Sequence, residues 1–467
     1  MIGISKKPGK VAVLGAGLTG LRAADVLSEN GVDVVVIEKE AYPGGLAHTF
    51  QQNGFHFDLG PHRFHTENSE ILQMVEKLLP GELLELQRLS RIHLLDRYFI
   101  YPLSFGDVLK KMPLLKAAGM TMSYFMERGK NLFSSGEKPS FKEWVISRFG
   151  KKLYDLYFGP YTEKLWGCPA EKLSSDWASQ RISVPKLTDL VRATVFPQKN
   201  SARSLVSKFH YPRGGIGRIS EALAEKAFSR GADFIYSTSP DSIQPLTDGG
   251  YSISSGGKDI KVDGIVSTIP VTEYVELLGN TLSENIHNCS EKLHYRAIVF
   301  LVLQLKTGIM ANDHWIYIPE EKYLFNRISI PGNFDAELSE NGSQMVFEFT
   351  CMEDDDIWSG DRDLLESAIA GGIELELFRR DDVMGSMLTR KAHAYPVYSL
   401  EYSDNISTVL DALDVLESSV TTGRQGLFRY NNMDHSLEMG EYAALELLGR
   451  GSVRQRFEWT RKTWADG

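Results

Sequence analysis

The sequence predicts an α/β protein in which a parallel sheet is interrupted by a helical insertion and by a second, sheet-containing region. Three observations predict it. A β-branched run, Lys10–Leu14, enters a glycine turn, a helical stretch and a second buried run that ends on an acid. The segment from Phe105 to Arg148 is rich in Met, Leu and Lys, with breaks at Pro113 and Ser134–Pro139. Ala297–Leu303 and Gln344–Phe349 have strand composition.

The first element is the most specific. Gly15-Ala-Gly17-Leu18-Thr19-Gly20 follows the strand, a helical stretch runs from Leu21 to Ser28, and Asn30-Gly31 stops it. Val32–Ile37 resumes as a buried strand, and Glu38 lies 18 residues beyond Gly20. Gly15 allows the tight turn, Gly17 lets a pyrophosphate approach the backbone, and Gly20 lets the helix pack closely on the strand. The helix N-terminus then offers unpaired N–H groups to phosphates, and the acid can accept hydrogen bonds from a ribose. A glycine motif alone is weak, but strand, helix and acid agree, so the reading is a dinucleotide site. Glu38-Lys39 continues to Gly44-Gly45-Leu46-Ala-His48, a second glycine pair. This pattern resembles the glutathione-reductase-type flavoproteins of the amine oxidase and protoporphyrinogen oxidase kind. The resemblance implies a Rossmann-type FAD-binding domain. It places Gly15, Gly17, Leu18, Thr19, Gly20, Glu38, Lys39, Gly44, Gly45 and Leu46 at the cofactor, with the second glycine pair against the flavin.

Further along, Phe55–Gly60 reads as a strand, Glu67–Leu79 as an amphipathic helix and Ile219–Arg230 as another helix. Asp263–Pro270 reads as a return strand of the first domain. The expected organisation is a discontinuous FAD-binding domain over 1–104, 206–270 and 393–467. A helical substrate or lid domain spans 105–205, and a sheet-containing substrate domain spans 271–392. No internal repeat or low-complexity tract interrupts this order.

Composition excludes other classes. The 467 residues carry 51 Lys and Arg against 61 Asp and Glu, a net charge of -10, which argues against a nucleic-acid binder. Hydrophobic residues at 42% are enough for large cores. Only Cys168, Cys289 and Cys351 occur, too scattered for a disulfide framework or a metal site, so no metal is expected and a reducing cytoplasm is the expected compartment. The apolar start from Val11 to Leu27 is broken by glycines, Arg22 and Asp25, unlike a signal peptide. No window reaches the length of a membrane span.

Several other segments resemble the UDP-galactopyranose mutase family. Gly60-Pro-His62-Arg63-Phe64-His65-Thr is similar to its histidine loop, which the resemblance places at the isoalloxazine. Tyr161-Thr-Glu-Lys-Leu-Trp166-Gly167 is similar to its substrate-cleft segment near the nucleotide. Arg181-Ile-Ser-Val resembles the segment whose arginine reaches the diphosphate from a mobile lid, and Asn326-Arg327-Ile a second substrate arginine. Tyr395-Pro-Val, Gly423-Arg424 and Phe428-Arg-Tyr430-Asn-Asn432-Met433-Asp-His-Ser436 resemble its C-terminal flavin and substrate segments. The matches keep their order from Gly15 to Ser436, although 97–148 and 201–209 are not matched. Pro61, Arg63, Leu165 and Asn432 depart from the commoner residues, which puts the sugar, the nucleotide and the reaction in question.

The resemblance implies a nucleotide-sugar mutase of glycan biosynthesis that interconverts pyranose and furanose rings. In that family the N5 of reduced FAD attacks the anomeric carbon and expels a nucleoside diphosphate. It implies catalytic roles for His62, His65, Arg181, Arg327, Tyr395 and Tyr430. Substrate contacts would come from Tyr161, Trp166, Arg181, Arg327, Tyr395, Tyr430 and Asn432. Further flavin contacts would come from Gly60, His62, Arg63, Phe64, Arg424, Asn432, Met433 and Ser436. Taken singly, each residue has another reading: Trp166 and Tyr161 as core aromatics, the arginines as surface ion pairs, the histidines as turn supports, Tyr430 and Asn432 as packing and cap residues. Two further functions stay open. One is an FAD-dependent oxidoreductase of the protoporphyrinogen oxidase, amine oxidase or desaturase type; the other is a non-catalytic flavin-binding protein. The expected partner is a nucleotide sugar. The oligomeric state is open, a homodimer being one option.

Overall fold

A computed structural model describes residues 7–52, 54–101, 111–112, 114–131, 140–176, 178, 208–306, 309–339 and 342–450. Arg181 lies outside the described residues, as does the rest of 179–207.

The parallel sheet forms where the β-branched runs predict it. Its five strands lie in the order Ser419–Thr421, Gly264–Ser267, Lys10–Leu14, Asp33–Ile37 and Asp233–Ile235, and every neighbouring pair is parallel. Both faces are covered, so Val11, Ala12, Val13 and Leu14 are all buried and the run is apolar throughout. The helices Leu18–Glu29, Gly217–Ser229 and Met433–Leu447 share one core with this sheet. Gly440 lets the last of these lie directly on the first, because a Cβ there would run into the Thr19 carbonyl.

The second region is a seven-stranded mixed sheet. Its order is Val383–Pro396, Tyr295–Leu305, Ser343–Cys351, Arg327–Ser329, Trp315–Tyr317, Ser90–Leu94 and Arg97–Ile100. Its second strand, Tyr295–Leu305, is buried along its whole length. The last two strands differ from the expected boundaries, since 90–100 was read with the FAD-binding part. They join the substrate sheet because Trp315–Tyr317 pairs in parallel with Ser90–Ile92, a long-range register that local pattern does not encode. The strand Val383–Pro396 likewise runs across the expected boundary at 392.

The helix expected over 67–79 runs Ser69–Leu78, capped by Asn68, whose side chain accepts from the Glu70 and Ile71 amides. In the insertion, the helices Leu114–Asn131, Phe141–Phe149 and Gly159–Trp166 pack around buried aromatic residues beside the end of the substrate sheet. Among the described residues no helix is long and apolar enough to cross a membrane, and no cluster of His, Cys, Asp and Glu is placed to hold a metal.

Candidate active site

The strand Lys10–Leu14 ends at Gly15, which adopts φ +95° and donates its amide to the Ile37 carbonyl at 2.8 Å. The helix begins at Leu18, with Gly17 as its extended N-cap. Two glycines here answer to different demands. A Cβ on Gly20 would collide with the Gly15 carbonyl oxygen, so the fold itself requires that glycine. A Cβ on Gly17 would meet no atom within 4 Å, and its φ of -72° suits any residue. Gly17 thus leaves open space over a helix N-terminus, which a phosphate can approach. Glu38, 7% exposed, is fixed at the mouth of this crevice: Oε2 accepts from the Ala16 amide at 2.6 Å and Oε1 from the Glu40 amide at 2.9 Å.

The second glycine pair folds onto the first. The Gly44 amide donates to the Ala16 carbonyl at 2.8 Å, Gly17 and Gly44 form a parallel bridge, and Gly45–Ala47, with Leu46, makes one helical turn. Thr19 is buried beneath Gly423 and Gly440, whereas Lys39 is exposed, 3.9 Å from Glu273. Thr421 ends its parallel strand and Thr422 follows it, at the same end of the sheet, and among the described residues both buried Oγ1 atoms lack a partner. His62 Nδ1 is also buried and unpartnered. An open phosphate cradle, a fixed acid and orphaned polar atoms fit a flavin dinucleotide.

The cleft beside this crevice is built by cross-strand pairing. Tyr317 stands opposite Arg327, and Arg327 opposite Glu348, in one row across three strands. Glu348, 0% exposed, accepts from Arg327 Nε and Nη2, both at 2.7 Å. Burial opposes the charge on Arg327, but the Glu348 carboxylate more than restores it and holds the guanidinium above the ordinary arginine range. Gly60, at φ +91°, lies over this pair, and a Cβ there would come 2.8 Å from Glu348 Oε1.

On one side of Arg327, Nη2 donates to Tyr395 Oη at 3.4 Å. The Tyr395 ring stacks on Tyr430 at 5.7 Å and meets Trp166 edge-on at 6.1 Å. The Arg424 guanidinium lies 4.3 Å from the Tyr430 ring centroid and 5.2 Å from that of Tyr395. It is anchored by donation to the carbonyls of Asn431 at 3.0 Å and Ala394 at 2.8 Å. On the other side, Tyr317 meets Tyr101 at 4.6 Å and Tyr161 edge-on at 5.8 Å, and Tyr161 stacks on Tyr157. Burial pushes the Tyr161 phenol far up and Tyr395 up to about 12 despite the opposing pull of Arg327, so both remain neutral donors. Burial, then Arg327 and Arg424, press His62 down to about 3, and burial with Arg63 lowers His65. Both are neutral imidazoles near pH 7.

The structure therefore gathers His62, Trp166, Arg327, Tyr395, Arg424 and Tyr430 around one cleft, with Tyr161 on its far wall. Phe64 points elsewhere: it is buried in the core shared with the parallel sheet, and its backbone pairs with His210. Arg63 lies with its guanidinium 5.3 Å from the Trp315 ring centroid. Asn432 is exposed and caps the helix that Met433 opens, and Ser436 Oγ accepts from Asn431 Nδ2 at 3.2 Å. Sequence reading missed Glu348, Tyr317, Tyr101 and Trp315. Glu348 carried a signal, as the one charged residue in the apolar run Gln344–Cys351. Trp315 and Tyr317 carried a weaker one, two aromatics spaced to share a strand face.

Residues 18–369 match the family model described as flavin containing amine oxidoreductase, three quarters of the sequence. The chain belongs to this family of flavoproteins, and its cofactor is FAD. Within the family it is similar to UDP-galactopyranose mutase. It superposes on the crystal structure of a reduced UDP-galactopyranose mutase with a TM-score of 0.84, at 23% identity, covering 94% of this chain and 96% of that one. The mutase of Mycoplasma pneumoniae is 26% identical over 301 residues, 62% of this chain and 66% of the relative. The chloroplastic prolycopene isomerase of Daucus carota is 24% identical over 420 residues, 78% of this chain. The chain spans 66% of the length of that isomerase.

Proposed function

We propose that this FAD-dependent enzyme is a nucleotide-sugar mutase that interconverts pyranose and furanose rings. The observation that carries the reading is the polar wall of the cleft: Arg327 and Arg424 tied to Tyr395 and Tyr430, with the Trp166 ring alongside. A site for apolar or amine substrates needs no such wall, whereas a nucleoside diphosphate needs it to be held as it leaves. The bound cofactor, once reduced, supplies a nucleophilic ring nitrogen.

The protein's own groups do the rest. Arg327 uses Nε and Nη2 on Glu348, which leaves Nη1 to bind a phosphate oxygen. Tyr395, its phenol neutral, and the Tyr430 ring stacked on it face the same region, and the stacked ring under Arg424 keeps that cation in place. His62, held neutral, adds no positive charge and can hydrogen-bond to the bound ligand or cofactor. Arg181 would add a second diphosphate arginine.

A second reading is an oxidoreductase or isomerase acting on an apolar substrate. It is favoured by the rings of Tyr101, Tyr157, Tyr161 and Tyr317 on the far wall and by the similarity to prolycopene isomerase. One experiment separates the two. The dithionite-reduced protein is incubated without oxygen with UDP-galactofuranose and a panel of other nucleotide sugars, beside an oxidised control, and the products are resolved by anion exchange. Ring conversion in the reduced sample alone is expected. No conversion, together with no change in the flavin spectrum on adding nucleoside diphosphates, would transfer the case to the second reading.

A further inference from the structure

Arg63 has a charge that the described cleft does not use. Among the described residues it takes part in no ion pair or hydrogen bond, and its Nη1 is buried without an acceptor. A buried guanidinium N–H that lacks an acceptor is costly, so such a group is either compensated nearby or awaits a ligand. Among the described residues no acceptor compensates it, and the Trp315 ring face offsets its charge only in part. The guanidinium lies over the Trp315 ring, close enough to Arg88, His65 and His314 to lower the proton affinity of each, and it acts likewise on the Tyr101 phenol. The acids facing this group are Glu67, near His65, and Asp313, near His314. Asp313 is already committed to Arg91 through two bonds. Basic groups therefore converge on one spot with their nearest buried carboxylate spoken for.

The spot adjoins the cleft. Arg327 lies 5.9 Å from the Tyr317 ring centroid, Tyr317 lies 4.6 Å from Tyr101, and the Arg88 Nη2 donates to the Tyr101 carbonyl at 3.0 Å. Trp315 and Tyr317 alternate on one short strand, so Arg63 and Arg327 lie against neighbouring aromatics of the same sheet face. The side of Arg327 that holds Tyr395, Tyr430 and Arg424 is the side of the C-terminal flavin segment. Arg63 thus lies on the other side of Arg327 from that segment.

We infer that Arg63 is the centre of a second anion subsite, one ring beyond the diphosphate wall, which takes a phosphate monoester carried on the nucleoside end of the ligand. The orientation rests on the proposed nucleotide-sugar reading; the anion subsite itself does not. A phosphate fits better than a carboxylate because the two arginine cations can balance a dianion, and the two imidazoles, though neutral, can add hydrogen bonds.

The test is calorimetric titration of the FAD-loaded protein with inorganic phosphate, with UDP and with UDP bearing a ribose 3′-phosphate, for the wild type, Arg63→Gln and Arg63→Lys. The wild type should bind the 3′-phosphorylated nucleotide about tenfold more tightly than UDP, and that ratio should fall to about one in Arg63→Gln. Arg63→Lys should keep part of it, which separates lost charge from lost structure. A ratio near one in the wild type, or an undiminished ratio in Arg63→Gln, overturns the inference. If UDP fails to bind at all, the nucleotide-sugar reading fails, and inorganic phosphate decides the subsite: binding that needs Arg63 upholds it, and binding that is absent or independent of Arg63 overturns it.

Discussion

Replacing Gly17 by Ala tests whether the glycine turn is shaped for a cofactor or for the fold. At φ -72° an added methyl group is unstrained, and it meets no protein atom within 4 Å. Two small effects on folding then oppose each other. Restricting the unfolded chain stabilises by about 0.4–1 kcal/mol, while Ala is a poorer N-cap than Gly. The apoprotein should stay within about 1 kcal/mol of the wild type. The same methyl group occupies the space through which a pyrophosphate reaches the helix N-terminus. FAD affinity should fall at least about tenfold, or 1.4 kcal/mol. Gly20→Ala is the control with the opposite cause, because its methyl group strikes the Gly15 carbonyl and should destabilise the fold by about 1–3 kcal/mol. Urea unfolding of the apoproteins and fluorescence titration with FAD read both quantities. Wild-type FAD affinity in Gly17→Ala, or a loss of stability equal to that of Gly20→Ala, would refute the assignment of the open space to the cofactor.

Glu348→Gln leaves the Arg327 guanidinium, 19% exposed, without its counter-charge, and should cost about 3 kcal/mol of stability in urea. Affinity for UDP should rise in the same variant, because the diphosphate no longer competes with a carboxylate; a fall in affinity on titration would contradict that. Tyr395→Phe keeps the stack on Tyr430 and removes only the hydroxyl, so UDP binding should weaken by about 1 kcal/mol with stability little changed. His62 gives a pH dependence of definite sign. Its folded-state value, near 3, lies below the ordinary 6.5, so the unfolded chain takes up a proton first and stability falls as pH drops from about 6.5 toward 3. His62→Gln should flatten that part of the stability profile, and an unchanged slope in urea melts at pH 7, 6, 5 and 4 would show that His62 is not the group responsible.

The dinucleotide crevice was legible because its determinants are local. Gly15, Gly17, Gly20 and Glu38 lie within one strand-helix-strand unit, and each residue type has a reason that a short window reveals. The cleft was legible only in part. Arg327, Tyr395 and Tyr430 could be picked out by their resemblance to a family, but Glu348 could not, because its role arises from register. It faces Arg327 only when Arg327–Ser329 pairs antiparallel with Val346–Glu348. Tyr101 and Tyr317 meet through strands that are far apart in sequence, and residues 90–100 joined the second sheet for the same reason. Arg63 was read toward the cofactor by its place in the histidine loop. Its side chain instead lies against Trp315. Position in a motif fixes where the backbone goes, whereas the tertiary neighbours decide what the side chain faces.

The Arg327–Glu348 pair also bears on how a cleft of this kind can release a charged leaving group. An unpaired buried arginine would hold a diphosphate tightly in every state, which slows release as much as it aids departure. With Glu348 taking two of its donors, Arg327 offers a partly neutralised guanidinium, which under the proposed function would orient a phosphate and still let it go. Tyr395 adds a hydroxyl that stays neutral and is stacked on Tyr430, so the wall gains a donor without gaining charge. Specificity then depends on geometry more than on net attraction. On that argument Glu348→Gln should tighten UDP binding while turnover falls, and unchanged turnover with tighter UDP binding would contradict it.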